Sequence, residues 1–429
     1  MATLSELLKE LQTLPIGNVY QKTINGRTYN YHQYFEDGKR YSKIISEEEA
    51  SNLLPLIKRR QELQKIINNI KSKEKNVVLS KNANKLTGYI MSKNKPVAEF
   101  ENGILVNINE KLAPLVIKKT HSLEKFLSLR VIDMSRTNAR LLKKALNINT
   151  DEEYKIPLFA YALSVGDTYW FKPKHSKLKY QDIKINNDIY SNAALEGDMT
   201  IFPHQTKLTP EITTTGSFEK GWKIIDNHWW LYKTGNNKQI FSELFCYQFA
   251  KLMGIETARY EYDGKYIRSL NFAEKYNFEP IASLAGDNDS YEHIFNILLE
   301  IDRNIAKDYL KLIFFDSVVY NVDRHNENLG LLRNPDDGKI VSLAPNFDNN
   351  LALISNIDKL NDPKKDVFLK LFVSFIENNQ TAKELFKEIS FRDITIKDIE
   401  KIINGIQIDI PYKDDISNKI YQRYNYLKL

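Results

Sequence analysis

The first part of the chain changes from a strand-like to a helix-like pattern of apolar residues. Val19–Gln33 and Lys39–Ile45 are rich in β-branched and aromatic residues, and Asn-Gly and Asp-Gly dipeptides interrupt them. Such dipeptides favour tight hairpin turns because the turn residues must accept a positive φ. Apolar residues then recur at helical spacing from 47 to 75. Residues 1–80 are therefore predicted to form a small β-hairpin and long-helix module.

The second half of this predicted helix is basic. The stretch from Lys58 to Lys75 contains seven Lys or Arg residues and two Glu residues. A helix of this kind can face nucleic acid or a protein partner, but a run of charge more often forms a solvated surface. We favour the solvated surface, so nucleic acid is an unfavoured partner of this module.

The remainder of the chain has predicted strands first and predicted helices later. Tyr161–Lys172 and Trp222–Lys233 have strand-like patterns, whereas most of the chain after Tyr291 has a helical pattern. This order predicts an α+β fold with a β-rich small lobe over 81–275, a helical large lobe over 276–429 and a cleft between them.

Composition excludes several classes of protein. With 42% hydrophobic and 27% charged residues, the chain is neither disordered nor fibrous. Its one cysteine, Cys246, excludes an intramolecular disulfide and a cysteine-based zinc finger. No apolar run approaches the roughly 18 residues of a membrane span, and charged residues occupy the N-terminal stretch where a signal peptide has its apolar core. We therefore expect a cytoplasmic protein without a membrane anchor.

The richest chemistry follows the apolar segment Leu310–Tyr320. A polar loop contains Asp323 and, five residues later, Asn328; a predicted hairpin then leads to Asp348. Phosphoryl transfer needs a carboxylate that accepts the proton of the attacking hydroxyl, and oxygen ligands for Mg²⁺. Protein kinases use this order of residues. Any one of the three could be an ordinary turn or capping residue, but the three together favour a kinase.

His325 lies within the same loop. It is an improbable metal ligand, since no second His or Cys occurs at ligand spacing. We predict that its ring instead orients the catalytic loop.

A nucleotide would also need a phosphate-binding loop and a cation. The hydroxyl-rich stretch 213–220 contains one glycine, Gly216, which would let backbone N–H groups approach phosphate. Taken alone, a plain hairpin turn explains it better. Lys233 ends a predicted strand, where a kinase places the lysine that binds the α- and β-phosphates; an edge-strand lysine is the alternative.

The segment Phe241–Gly254 is predicted to be a helix. Glu243 lies off its apolar stripe and could pair with Lys233, as a helix glutamate does in kinases. An exposed first-turn glutamate that suits the helix dipole is the interpretation we favour. Cys246 is interpreted as a structural residue.

In order along the chain, these motifs resemble the HipA-like serine/threonine kinases, the toxin kinases of bacterial toxin–antitoxin modules and their relatives. The resemblance spans about residues 120–370 and rests on Asp167-Thr168-Tyr169-Trp170, Gly216-Ser217-Phe218-Glu219-Lys220, Lys233, Asn321-x-Asp323-x-His325-x-x-Asn328 and Ala344-Pro345-x-Phe347-Asp348.

The resemblance implies a two-lobed, protein-kinase-like fold that uses ATP and Mg²⁺. It implies the following roles: Asp323 as catalytic base, Asn328 and Asp348 as metal ligands, Lys233 as the phosphate lysine, Thr215, Gly216 and Ser217 as part of the phosphate loop, and Asn271, Phe272 and Ala273 as the connection that carries adenine. In the family a serine of the phosphate loop can be phosphorylated, which silences the kinase, and Ser217 resembles that serine. Thr214 and Thr215 lie close enough to be alternatives.

Two departures limit what the resemblance implies. Many HipA-like sequences have Gly where this chain has Arg324, and Asp-Arg-His is the form found in phosphatidylinositol kinases. Residues 1–80 have no counterpart in the family core. A kinase of lipids or small molecules and a nucleic-acid-binding or adaptor pseudokinase thus stay as alternatives to a protein kinase. The substrate, an antitoxin partner and the oligomeric state are not fixed by the sequence.

Overall fold

A computed structural model describes residues 7, 10, 11, 13–24, 27–36, 39–64, 86–198, 208–355 and 362–428. The chain divides into two compact units, Met1–Asn84 and Lys85–Leu429. Among the described helices, none combines the length and the apolar character that crossing a membrane requires.

The first unit contains a three-stranded antiparallel sheet and a helix. Strands β1 (Asn18–Ile24), β2 (Arg27–Glu36) and β3 (Lys39–Ile45) pair in chain order, and residues 47–64 form helix α1. The predicted strands and the start of the helix are confirmed, while the predicted helical residues 65–75 and the proposed boundary at residue 80 lie outside the described residues.

Two of the basic residues on α1 are bound within the first unit. Arg59 forms an ion pair with Glu10, with Nε 2.8 Å from Oε1. Arg60 donates from one nitrogen to the carbonyls of Leu11 and Leu14. These contacts support the interpretation that this part of the helix serves its own unit rather than nucleic acid.

The second unit begins with a four-stranded sheet in the order β6-β5-β4-β7. Its elements are β4 (Gly88–Ser92), β5 (Lys95–Glu101), β6 (Ile104–Ile108), α2 (Leu115–Thr120), α3 (Leu123–Ser128), α4 (Thr137–Ala145), β7 (Tyr169–Pro173), α5 (Tyr180–Ile183) and α6 (Ser191–Glu196). The prediction of a strand from Tyr161 was wrong for residues 161–168, because Tyr161 and Ala162 adopt positive φ of 54° and 56° after a 3-10 helix.

A second four-stranded sheet, ordered β10-β11-β9-β8, lies beside a long helix. It comprises β8 (Lys220–Ile225), β9 (His228–Lys233), β10 (Tyr260–Tyr262) and β11 (Ile267–Leu270), with α7 (Asn237–Leu252) following β9. The stretch predicted as strand over 222–233 is a hairpin. Asp226 and Asn227 form its turn with φ of 51° and 63°, a conformation that Asp and Asn tolerate better than most residues.

The last part of the chain is mainly helical, as predicted. It contains β12 (Asn277–Pro280), α8 (Ala282–Ala285), α9 (Tyr291–Ile301), α10 (Arg303–Val319), β13 (Gly330–Arg333), β14 (Ile340–Leu343), α11 (Val367–Asn378), α12 (Gln380–Lys387), α13 (Ile396–Gly405) and α14 (Lys413–Leu427). Strands β12, β13 and β14 form a small antiparallel sheet. Helix α10 is buried along most of its length in the largest apolar core, which α7 and α14 also enter.

The end of α10 is anchored by a buried arginine of the last helix. Arg423 donates to the carbonyls of Ser317 and Val318 at 2.7 and 2.9 Å and forms an ion pair with Asp366 at 2.6 Å. Both charged side chains are 1% exposed or less. Asp366 also caps α11 by accepting from the Leu369 N–H. The arginine thus joins three helices just before the polar loop that follows α10.

Replacing Asp366 by alanine should destabilise the second unit by about 3–5 kcal/mol, because it leaves a buried guanidinium without its carboxylate. Urea unfolding of the second unit measures this change. Asp393→Ala is the matched control, since it also removes the carboxylate of an ion pair, the one with Lys428 at the end of α14, but from an exposed position. Equal unfolding midpoints for the two variants would contradict the anchoring role of Arg423.

Candidate active site

The polar loop after α10 holds the predicted Asp323 and Asn328 in a fixed relation. Tyr320 ends the helix with a φ of 57°, and the chain turns away from the helix axis. Asn328 Nδ2 donates to the Asp323 carbonyl at 3.1 Å, and the Asn328 N–H donates to the His325 carbonyl at 2.9 Å. The amide nitrogen of Asn328 is therefore used within the loop, which leaves its side-chain oxygen for other contacts.

Arg324 connects this loop to the segment that follows β14. Its guanidinium forms a forked ion pair with the buried Asp316, at 2.9 and 3.0 Å. It also donates to two backbone carbonyls, those of Asn328 and Phe347, at 2.8 and 2.7 Å, and to two side-chain oxygens, those of Asn346 and Asn349, at 2.6 and 2.9 Å. Arg324, which stands where many HipA-like sequences have Gly, thus fixes the distance between the loop and Asp348.

Lys233 lies between two carboxylates. Its Nζ is 2.6 Å from Asp348 Oδ1 and 3.1 Å from Glu243 Oε1, and its side chain is 5% exposed. Glu243 also accepts from the Asn349 N–H at 2.9 Å. The structure therefore brings Lys233 and Asp348, which are 115 residues apart in the sequence, into direct contact.

Burial and these ion pairs set the charges of the cluster. Burial alone would raise the pKa of Asp348, but the ammonium groups of Lys233 and Lys220 overcome it and hold that pKa well below its usual range. Burial would lower the pKa of Lys233, and the carboxylates of Asp348 and Glu243 raise it well above its usual range instead. Asp348 is therefore a carboxylate and Lys233 an ammonium at neutral pH.

The favoured interpretation of Glu243 was wrong, because the helix starts earlier than its apolar stripe suggests. Asn236 caps α7 and the helix begins at Asn237, so Glu243 lies in the second turn rather than the first. There it is fully buried and pairs with Lys233. The alternative considered from the sequence, a helix glutamate paired with the strand lysine, is the arrangement observed.

Residues 213–219 form a loop that enters β8. Gly216 has a φ of 90°, a conformation that L-residues rarely adopt. Thr215 and Gly216 line the same cleft as Lys233, whereas Ser217 is exposed and lies outside the lining. A side chain at position 216 would also displace the Lys220 ammonium, but it is the positive φ that favours glycine there.

Lys220 belongs to the site and was not assigned a role from the sequence. It is 5% exposed and lines the cleft between Gly216 and Lys233. Burial lowers its pKa to about 7, with Asp348 opposing the shift. The signal was present in the Gly-Ser-Phe-Glu-Lys motif, but a local pattern does not show that the lysine points inward from the first residue of its strand.

The connection after β11 provides an apolar wall. Phe272 packs against Phe347 and Phe278, with ring centroids 5.3 and 5.6 Å apart. Asn271 donates from Nδ2 to the Val165 carbonyl at 2.9 Å and accepts from the Ala273 N–H at 3.0 Å. The predicted residues 271–273 therefore all lie at the cleft, where Phe272 offers a flat face to a planar ring.

These residues line one cleft with a volume of about 180 Å³. Its lining includes Thr215, Gly216, Lys220, Lys233, Asn271, Phe272, Ala273, His325, Asn328 and Asp348. Asp323 lies on the adjoining loop and is not part of the lining. It is half-buried, and burial raises its pKa although His325 opposes the shift. His325 is exposed and accepts from the Glu327 N–H through Nδ1 at 3.2 Å.

Three comparisons with known proteins give the following results. Residues 205–410 match the model of the HipA-like C-terminal domain. The chain is similar in structure to HipA of Shewanella oneidensis, solved with HipB and its operator DNA, at a TM-score of 0.51 and 12% identity over 80% of this chain and 97% of that one. It is also similar to the proinflammatory kinase CtkA of Helicobacter pylori, at a TM-score of 0.40 and 17% identity over 48% of this chain and 90% of that one. No curated protein matches the chain.

The family model covers the phosphate-loop candidate, the lysine strand, the polar loop and Asp348, and the likeness to HipA extends over most of the chain. The predicted α+β, HipA-like fold is confirmed. Residues 205–410 therefore form a HipA-like C-terminal domain.

Proposed function

We propose that this protein is an ATP- and Mg²⁺-dependent kinase that phosphorylates serine or threonine on a protein. The observation that carries the proposal is the Lys233 ammonium held between Glu243 and Asp348, on the same cleft as Asn328. In kinases a strand lysine paired with a helix glutamate binds the nucleotide phosphates. The HipA-like C-terminal domain over residues 205–410 agrees with this proposal.

The donor set fits Mg²⁺. Asp348 offers a carboxylate that stays ionised, and Asn328 offers an amide oxygen whose nitrogen is already bound. Hard oxygen donors of these kinds are the ligands that Mg²⁺ takes, in sites that usually keep several waters and substrate phosphate oxygens. Within the described ranges, no group of three His, Cys, Asp or Glu side chains could form a metal cage, which suits a cation that arrives with the nucleotide. Mg²⁺ bound there would neutralise charge on the nucleotide phosphates.

The remaining residues supply the proton transfer and the binding of the nucleotide. An acceptor hydroxyl attacks the γ-phosphorus, its proton passes to an Asp323 carboxylate oxygen, and the bond between the γ-phosphorus and the bridging oxygen breaks to release ADP. Burial raises the pKa of Asp323, which makes it a stronger base than an exposed aspartate. Lys233 and Lys220 would bind the phosphates, and Phe272 would pack against adenine.

The same residues bear on the two alternatives, an adaptor pseudokinase and a kinase of lipids or small molecules. An adaptor that had lost catalysis would have no need to bury Lys233 between two carboxylates, because such a cluster is costly to desolvate. A lipid or small-molecule acceptor would use the same phosphate-binding residues, so the choice of a protein acceptor rests on the family.

The proposal also includes, on the same basis, a regulatory or toxin-type role, an antitoxin partner and a cytoplasmic location. The two-lobe boundaries at 81–275 and 276–429 also remain a proposal.

Self-phosphorylation at Ser217 is part of the proposal. Ser217 is exposed at the edge of the loop, whereas the Thr213 and Thr214 hydroxyls donate to the Pro210 carbonyl at 3.0 and 2.7 Å. A phosphate on Ser217 would add about −1.5 to −2 charges beside the nucleotide phosphates. Like-charge repulsion would then oppose closure of the loop over ATP.

Asp323→Asn and Asp348→Asn should fail in different ways. Asp323→Asn should bind MgATP like the wild type but lose transfer by a factor of about 10² or more, since an amide is a poor proton acceptor. Asp348→Asn should weaken MgATP binding itself, because a charge that holds the metal is lost. Calorimetric titration together with a phosphate-transfer assay separates the two. Wild-type turnover in Asp323→Asn would remove it from the role of base.

The affinity for MgATP should fall as the pH rises through about 7 in a way that depends on Lys220. Its pKa of about 7 means that Lys220 is charged below that pH and neutral above it, so its attraction for phosphate is present at low pH and lost at high pH. Lys220→Met should flatten this component. Lys223→Met, on the same strand but outside the cleft lining, is the control. The nucleotide's own titration is common to all three proteins, so a wild-type profile in Lys220→Met would contradict the assignment.

Incubation with MgATP should add one phosphoryl group to the protein, and phosphopeptide mapping should locate it at Ser217. Ser217→Ala should bind ATP normally and show less self-modification, whereas Ser217→Asp should weaken ATP binding only in part, because a carboxylate carries less charge than a phosphate. Phosphate found only outside residues 213–217 in an active protein would show that the loop contains no such switch.

A further inference from the structure

The segment 132–138 lies behind the phosphate loop along its whole length. The Ile132 N–H donates to the Ile212 carbonyl at 3.1 Å at one end. At the other end the Asn138 N–H donates to Glu219 Oε1 at 3.0 Å. Between these two contacts lies Arg136, the residue that precedes α4. The loop therefore has a continuous support on the side away from the cleft.

Arg136 binds three successive carbonyls of the loop. Its Nε donates to the Gly216 carbonyl at 2.6 Å, and one terminal nitrogen donates to the Thr214 and Thr215 carbonyls at 2.7 and 2.6 Å. The side chain is buried, with 3% of the residue exposed. Hydrogen bonds from a charged donor are roughly twice as strong as neutral ones, so this one side chain fixes the orientation of three peptide groups.

The orientation of the carbonyls decides where the N–H groups point. In a peptide unit the C=O and the following N–H point in opposite directions. Drawing the carbonyls toward Arg136 therefore turns the intervening N–H groups away from the guanidinium, and the residues that carry them line the cleft together with Lys220. Successive N–H groups that converge in this way form a concave anion site. An anion in the cleft would meet backbone donors in front and the Lys220 ammonium beside them.

Two glutamates lie close to the guanidinium, which stays charged. Burial lowers the pKa of Arg136 to about 10, and Glu211 and Glu219 oppose the shift, so the group remains protonated at neutral pH. Glu211 Oε1 accepts from the Trp222 N–H at 3.0 Å. The Oε2 atoms of both glutamates are buried without a hydrogen-bond partner in the described part of the chain. Burial raises the pKa of Glu211 to about 8, so this side chain is mainly protonated at neutral pH. Arg136 thus donates to the loop carbonyls although two glutamate side chains lie nearby.

We propose that Arg136 is a positioning residue that holds the phosphate loop in the conformation that binds the β- and γ-phosphates of ATP. This inference rests on the proposed function and adds to it the residue, outside the cleft, that makes the loop competent. Arg136 does not touch the nucleotide; it acts through the peptide groups of residues 214–216. Its effect should therefore be confined to ligands that carry those phosphates.

The test compares the binding of MgATP and of adenosine by calorimetry in four full-length proteins: wild type, Arg136→Ala, Arg136→Lys and Arg140→Ala. Arg140 is the matched control, since it is an exposed arginine in the first turns of α4, the helix that Arg136 precedes. Arg136→Ala should bind MgATP at least tenfold more weakly, as expected when charge-assisted hydrogen bonds are lost, and should bind adenosine like the wild type. Arg136→Lys should fall between, because an ammonium lacks the planar fork that spans several carbonyls.

A rescue experiment separates positioning from a merely structural role. Guanidinium ion at millimolar, non-denaturing concentration should restore part of the MgATP affinity of Arg136→Ala by occupying the vacated space, and should not affect Arg140→Ala. Hydrogen exchange at residues 213–217 should be faster in Arg136→Ala and slower again with guanidinium. A loss of thermal stability without a selective loss of MgATP binding, equal losses for MgATP and adenosine, or unchanged affinity for both would each overturn the proposal.

The same experiment distinguishes failure of this inference from failure of the proposed function. If the wild-type protein binds neither MgATP nor adenosine, the nucleotide site itself is refuted, and Arg136 loses its role with it. If the wild type binds both and Arg136→Ala behaves like Arg140→Ala, only the positioning role is refuted. If MgATP binding alone falls and guanidinium restores it, Arg136 is the residue that fixes the loop.

Discussion

The buried contact between Lys233, Glu243 and Asp348 is the constraint on which the site depends. Moving these charged groups out of water costs several kcal/mol for each ion, and the cost is recovered only when the geometry is good. That geometry requires the end of β9, the second turn of α7 and the residue after Phe347 to meet at one point. Errors in the packing of the sheet against the helix would leave a charge without a partner, so the cluster favours one arrangement of these elements.

A second set of contacts relates the polar loop to this cluster. Arg324 spans from Asp316 in α10 to Asn346 and Asn349 on either side of Asp348. A planar fork with five donors can satisfy several acceptors at once, which an ammonium cannot. One side chain therefore fixes the polar loop, which contains Asp323, relative to the segment that contains Asp348. Arg136 has the corresponding relation to residues 214–216, and in both cases a buried arginine orders irregular backbone.

How far the sequence predicts this arrangement depends on whether a feature is local. The hairpins, α7, α10 and the order of Asp323, Asn328 and Asp348 follow from turn residues, apolar periodicity and a family pattern. Glu243 was misplaced because its helix begins before its apolar stripe does. The motif that contains Lys220 did not show that this lysine is buried, and Arg136 gave no signal of its own. Burial, and contacts such as that of Arg136 with Gly216 across 80 residues, are decided by tertiary packing. The stretch 161–168 has a strand-like composition, but Tyr161 and Ala162 adopt a positive φ, which a strand does not allow. Composition alone does not predict that conformation.

The position of Arg423 has a consequence for the order in which the second unit acquires its contacts. Chains fold from the N-terminus while they are being synthesised, at about 5–20 residues per second, and Arg423 lies in α14, Lys413–Leu427. It follows the carbonyl of Val318, to which it donates, by 105 positions in the sequence. A nascent chain can therefore form the two four-stranded sheets of the second unit and helix α10 before the end of α10 gains its arginine. The polar loop thus acquires this support later than the elements on either side of it acquire theirs.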